Sequence, residues 1–156
     1  MDTIEALYIL KHSPNKIAEK MKSFIYGFNG RREINYFDLF LFYSLYSYNP
    51  AYIFFDRQMT LQNNSLGNFF IDKTNESPEI FANFNIDFYQ TISITKEATI
   101  YGVSNSYFSI DEEMNIHLVN KKVTNKDRVA ENIGKLFSSQ STAYLYNFFK
   151  VDINAI

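Results

Sequence analysis

The stretch Tyr36–Tyr46, YFDLFLFYSLY, is apolar on every side of any helix it could form, with Asp38 and Ser44 as its only small polar interruptions. A helix hydrophobic all round must be enclosed, either by other protein elements or by lipid. Lipid is the poorer fit. The wider run INYFDLFLFYSLYSYNPAYIFF is broken by Asn35, Asp38, Asn49 and Pro50, and a span needs about 20 mostly apolar residues. The segment is expected to be a buried core helix, stopped by SYNP because proline cannot continue a helix.

At 156 residues the chain is expected to form a single domain, 1–156, that removes roughly 70% of its unfolded surface from water. It has no cysteine, which excludes disulfides, a thiol nucleophile and cysteine-bearing zinc sites. Ile17, Met21, Phe24, Ile25 and Phe28 recur at helical spacing, and Asn29 and Gly30 supply the left-handed residues that end helices. Leu61, Leu66, Phe69 and Phe70 suggest a further short helix within a helical amino-terminal part, 1–76. Ser77 and Pro78 then predict the start of a helix carrying Ile80, Phe81, Phe84 and Phe88. Thr95 is the predicted N-cap of the next, with Ala98, Ile100, Tyr101 and Val103.

The period then changes to 2. Phe108 and Ile110, then Ile116 and Leu118, flank the polar turn DEEMN and predict a hairpin. Thr124, with Asp127 three residues on, is the expected cap of a helix through Val129, Ile133, Leu136 and Phe137. Tyr144, Leu145 and Phe148 form the apolar face of a last helix, giving a carboxy-terminal pair over 124–151. The fold class expected is mainly α with a small β-hairpin, a winged-helix-like single domain whose helix, helix and hairpin occupy 77–119.

Chemistry is sparse. Five scattered glycines make no phosphate loop, and His12 and His117 stand at no metal-ligand spacing. Asp111, Glu112 and Glu113 are the densest carboxylate cluster, but a hairpin turn leaves them solvated, whereas a general acid needs a tuned environment. The chain is therefore expected not to be an enzyme and to use no cofactor or metal. Acidic Asp2 and Glu5 occupy the region where a secretory signal is basic, so a cytoplasmic chain without membrane insertion is expected.

Charge is unevenly spread. Residues 1–32 hold six basic and three acidic groups, 33–113 three and eleven, and 114–156 six and three. Over Glu79–Glu113, which would contain the groove-entering helix and wing, Lys96 is the one cation against six carboxylates. Duplex DNA draws proteins chiefly through phosphate neutralisation, so this face disfavours DNA. The weak candidates for nucleic-acid contact lie elsewhere, at Arg31, Arg32, Lys121, Lys122, Lys126 and Arg128. The candidate protein interface is Asp111, Glu112 and Glu113 with Tyr144, Tyr146, Phe148 and Phe149, since aromatic rings are favoured contact groups; core burial is the competing role for the rings.

Two segments, SITKEATIYGVSNSYFSIDEEMNIHL and AENIGKLFSSQSTAYLYNFFKV, supported by DLFLFYSLYSYNP and NNSLGNFF, resemble the middle component of three-component ABC ATPase systems, the class that includes Lamassu-type phage-defence complexes. Asn63 and Asn64 stand where relatives commonly carry cations, which removes the charge a phosphate contact would need there. The resemblance implies a winged-helix-like adaptor held between an SMC- or RecF-like ABC ATPase and an effector, often a nuclease, in anti-phage or anti-plasmid defence. DNA would then be met through the complex rather than by this subunit alone. The alternative is an autonomous winged-helix DNA-binding transcriptional regulator.

Overall fold

The computed structural model describes residues 13–57, 84 and 87–156. The stretches 61–70 and 77–83, for which helices were expected, and His12 lie outside the described residues.

The first helix, α1 (Pro14–Phe28), follows from the expected spacing. Pro14 opens it, Ile17, Met21, Phe24, Ile25 and Phe28 are buried, and Asn29 ends it at φ 50° with Gly30 at φ 72°. Strand β1 (Ile34–Asn35) leads directly into α2 (Tyr36–Tyr46). Asn35 caps α2 by accepting the Phe37 and Asp38 amides, while Asp38 accepts the Asn35 amide, so a reciprocal capping box joins strand to helix. Every residue from Asp38 to Tyr46 is buried, as all-round hydrophobicity requires. No described helix is long and apolar enough to cross a membrane. The chain breaks at Ser47, and Pro50 sits in the first turn of α3 (Asn49–Arg57), where its missing amide hydrogen is harmless.

The next described helix, α4 (Phe88–Ser104), departs from expectation. Its N-cap is Asp87, which accepts the Gln90 amide at 3.1 Å. Thr95 lies in mid-helix and is fully buried, so it caps nothing. Phe84 stands outside helical structure and Phe88 opens α4. The hairpin is found where the alternation predicts it, as β2 (Phe108–Ile110) and β3 (Asn115–Leu118). It gains a third strand, because β1 pairs antiparallel with β3 through Ile34 opposite Ile116, giving the order β1-β3-β2.

Beyond the sheet, α5 (Arg128–Ser138) is capped by Asp127 rather than Thr124. Asp127 accepts the Ala130 amide, the Tyr46 hydroxyl and the Lys20 ammonium, and its own amide donates to Ser23. A cap tied to two other helices outcompetes Thr124, which remains exposed in the connection. Ser141 caps α6 (Thr142–Phe148) by accepting the Tyr144 amide, and a 3-10 turn (Ile153–Ala155) closes the chain.

Helices α1 and α5 cross where two glycines meet. A Cβ on Gly134 would fall on the Phe24 carbonyl, and one on Gly27 on that of Glu131. Phe24 marks the centre of the core: its ring stacks on Phe42 at 4.5 Å and meets Phe28 and Phe137 edge-on at 5.1 and 5.2 Å. The molecule is mainly helical with a small antiparallel sheet. Its order of α1, β1, α2, α3, α4, β2, β3 is compatible with a winged-helix-like arrangement.

Candidate protein-contact surfaces

Helix α4 reverses the usual amphipathic arrangement. Its buried positions are Thr91, Thr95, Ala98, Thr99 and Gly102, small or polar residues, while Tyr89, Ile100 and Val103 are 88%, 57% and 40% exposed. Close approach to neighbouring elements explains the small side: the Gly102 Cα lies against the ring of Phe108, and α4 packs on α1 and α2. The buried hydroxyls need acceptors, and Thr99 finds the Thr95 carbonyl at 2.7 Å. On the outer side, large apolar groups stand where a DNA-reading helix would carry cations and amides. Lys96 and Glu97 are exposed there together, so this surface has little net charge.

The acidic tip is an ordered turn. Asp111 Oδ1 accepts the amides of Glu113 and Asn115, each at 2.9 Å, and Met114 takes the left-handed conformation at φ 65°. His117 Nε2 lies 3.0 Å from Asp111 Oδ2; this hydrogen bond, foremost, and the backbone amides hold the Asp111 carboxyl below its ordinary range. Asp111, Glu112 and Glu113 are all exposed, with half-exposed Met114 beside them.

The carboxy-terminal aromatic residues divide. Tyr144 is exposed and Phe148 half-buried, their rings stacked at 6.3 Å. Tyr146 and Phe149 are core residues instead, buried as α6 docks on α2. The Tyr146 hydroxyl donates to the Phe37 carbonyl at 2.7 Å, and burial, with Asp38 nearby, pushes its phenol well above the ordinary tyrosine range. The buried residues of α6 are thus Leu145 and Tyr146, followed by Phe149 just past its end, whereas of the expected face Tyr144 is exposed and Phe148 packs only partly buried against the core.

Among the basic candidates, Arg32 is committed to structure. Its guanidinium makes a two-pronged pair with fully buried Asp38 at 2.8 and 2.9 Å, and its Nε donates to the Phe137 and Gln140 carbonyls at the end of α5. Thr142 donates to the same Asp38 carboxylate, so one ion pair joins α2, α5 and α6. Arg128 pairs with Asp56, and Lys126 lies over the Tyr26 ring at 4.0 Å. Arg31, Lys121 and Lys122 remain exposed. Sequence reasoning missed the outer face of α4, whose signal was available: from Thr91, a helical period selects Thr95, Ala98, Thr99 and Gly102 as one small-residue face.

These features define a class of protein: a mainly helical chain with a small antiparallel sheet, compatible with a winged-helix-like arrangement, that exposes apolar side chains on α4 and carboxylates at the hairpin tip. The particular family follows from the sequence. The chain belongs to the family described as ABC-three component (ABC-3C) system Middle Component 3, whose model matches residues 59–153, more than half of its length. No curated protein and no solved structure matches it significantly. Membership of a three-component system implies other subunits.

Proposed function

We propose that the protein is a non-catalytic adaptor in an anti-phage or anti-plasmid defence complex of the Lamassu type, bridging an SMC- or RecF-like ABC ATPase and an effector, often a nuclease. The observation that carries this reading is α4. In a winged-helix-like arrangement α4 would be the groove-entering helix, yet its outer side offers Tyr89, Ile100 and Val103 with Lys96 beside Glu97. Such a surface suits a protein partner, where aromatic and aliphatic anchors are favoured, and lacks the cations that duplex DNA requires. Family membership supports the same assignment. The acidic tip and exposed Tyr144 are further candidate contacts, and Arg31, Lys121, Lys122 and Lys126 are the basic groups left to meet DNA within the assembly.

As an adaptor it would hold the effector inactive and transmit a DNA-dependent rearrangement, which requires different contacts in the two states. Co-expression of the tagged protein with the other components of its system, followed by sizing of the intact assembly, tests the reading. Recovery of a ternary complex that Tyr89→Asp with Ile100→Asp disrupts supports it. A lone chain retaining duplex DNA would replace the adaptor with an autonomous DNA-binding regulator.

A further inference from the structure

The exposed side of α4 carries its side chains at the spacing of a coiled-coil seam. Tyr89, Ser93, Lys96, Ile100 and Val103 follow one another at intervals of 4, 3, 4 and 3 residues, and all five are exposed. Gln90, Glu97 and Ser104, also exposed, run beside them at seven-residue intervals as a polar flank. Alternating intervals of 4 and 3 hold a stripe on one line of a helix and repeat every heptad. The seam is about 21 Å long at 1.5 Å per residue, with a side chain about every 5 Å. Tyr89, Ile100 and Val103 are its large apolar groups, Ser93 is small enough to let a neighbour come close, and Lys96 is a cation at the midpoint.

These dimensions select a helix as the occupant. A second helix presents seam residues at the same step of about 5 Å, whereas an extended strand carries same-side residues about 6.8 Å apart and falls out of step by more than a whole layer along the seam. The middle of a helix also leaves no backbone groups free for a strand to pair with. Charge narrows the choice further. Lys96 has no ion pair among the described residues, and no carboxylate stands three or four residues from it on α4. Because Lys96 lies seven residues from both Tyr89 and Val103, pairing the whole seam with a second copy, parallel or antiparallel, sets Lys96 against Lys96. We infer that α4 docks one helix of a partner subunit, about four turns long, apolar along its own seam and bearing a carboxylate opposite Lys96. That the helix belongs to a partner subunit rests on the adaptor reading; the spacing and charge of the seam do not.

The test uses the full chain co-expressed with the other components of its system, with Tyr89, Ser93, Ile100 and Val103 replaced one at a time by a photoreactive phenylalanine analogue and the cross-links mapped by mass spectrometry. Links to a single partner segment are expected, at sites three to four residues apart and in ascending or descending order along it. Lys96→Glu, at an exposed position, should weaken assembly by about tenfold or more, and replacing the opposed carboxylate with Lys should restore it. Unchanged far-ultraviolet circular dichroism of each variant separates lost contact from lost fold. Links at every second residue of a segment, to scattered loops or to a second copy of this chain overturn the inference, as do an absence of links and an assembly indifferent to Lys96→Glu. In each of those cases an intact ternary complex leaves the adaptor standing. A chain that enters no complex at all sinks the adaptor and the docked helix with it.

Discussion

Without the guanidinium of Arg32, the carboxylate of Asp38 would be left charged and buried with, among the described residues, only the Asn35 amide and the Thr142 hydroxyl to satisfy it. Breaking a buried pair from one side is expensive, so Arg32→Met should destabilise the protein by about 3–5 kcal/mol in urea unfolding. Arg32→Lys should rescue little, because a point charge cannot reach Asp38 in two places while serving the Phe137 and Gln140 carbonyls. Removing both charges, with Arg32→Met and Asp38→Asn, should recover part of the loss. Thr95 presents the opposite case. Its hydroxyl is buried without a hydrogen-bond partner among the described residues, so Thr95→Val, nearly isosteric, should leave stability unchanged or raise it by about 1 kcal/mol. The same change at Thr99 loses a bond and should destabilise, which makes the pair an internal control.

At the scale of elements, the crossing of α1 and α5 depends on Gly27 and Gly134, since backbone rather than a yielding side chain occupies the space of each missing Cβ. Gly134→Ala should force the helices apart and cost about 3 kcal/mol, the upper end for overpacking, even though alanine favours an isolated helix. Calorimetry of the variant checks this; an unchanged melting temperature would mean the crossing is looser than described. The hairpin predicts differently. Its strands are held by register and by Phe108 against α4, whereas Asp111, Glu112 and Glu113 face solvent. Converting Glu112 and Glu113 to Lys, with Asp111 kept because its carboxylate holds the turn, should leave the fold intact and, if the tip touches a partner, weaken co-purification of the complex. Assembly that is indifferent to the change removes the tip from the interface.

For the molecule as a whole, two buried phenols set an alkaline limit. Burial is the first cause holding Tyr46 and Tyr146 above the ordinary tyrosine range, with the carboxylates of Asp127 and Asp38 respectively adding to it. A group whose pKa is raised by folding gives its full contribution below the unfolded value and loses it as pH climbs toward the folded one. Stability should therefore be flat with respect to these groups below about pH 10 and fall above it, by at most ~1.4 kcal/mol per pH unit for each. Thermal melts across pH 9 to 11, compared with Tyr46→Phe, should show a shallower alkaline decline in the variant.

Local patterning was enough to read several elements from the chain itself. The period of Ile17–Phe28, the nearly unbroken apolar run of Tyr36–Tyr46, the left-handed residues at Asn29 and Gly30, and the alternation around DEEMN each depend on neighbours a few residues apart, and these elements stand where the pattern places them. The mainly helical class and the acidic, exposed tip were legible for the same reason. Contacts between distant residues were not. Thr95 and Thr124 have the local features of caps, but Asp87 and Asp127 take those roles, and Asp127 does so with partners on α1 and α2. Ile34 and Asn35 become a strand only because β3 lies beside them, and a pair that short has no period to detect. Arg32 resembled a solvated loop cation until Asp38 and the end of α5 converged on it. Nothing near Tyr146, Phe148 and Phe149 in sequence separates core ring from surface ring; the docking of α6 on α2 decides it. Sequence by itself determined the helices over Pro14–Phe28 and Tyr36–Tyr46, the hairpin and the family, because periodicity and motif are properties of neighbouring residues. Tertiary structure alone decided which polar groups are consumed internally and which remain for a partner, because burial depends on what the rest of the chain brings alongside.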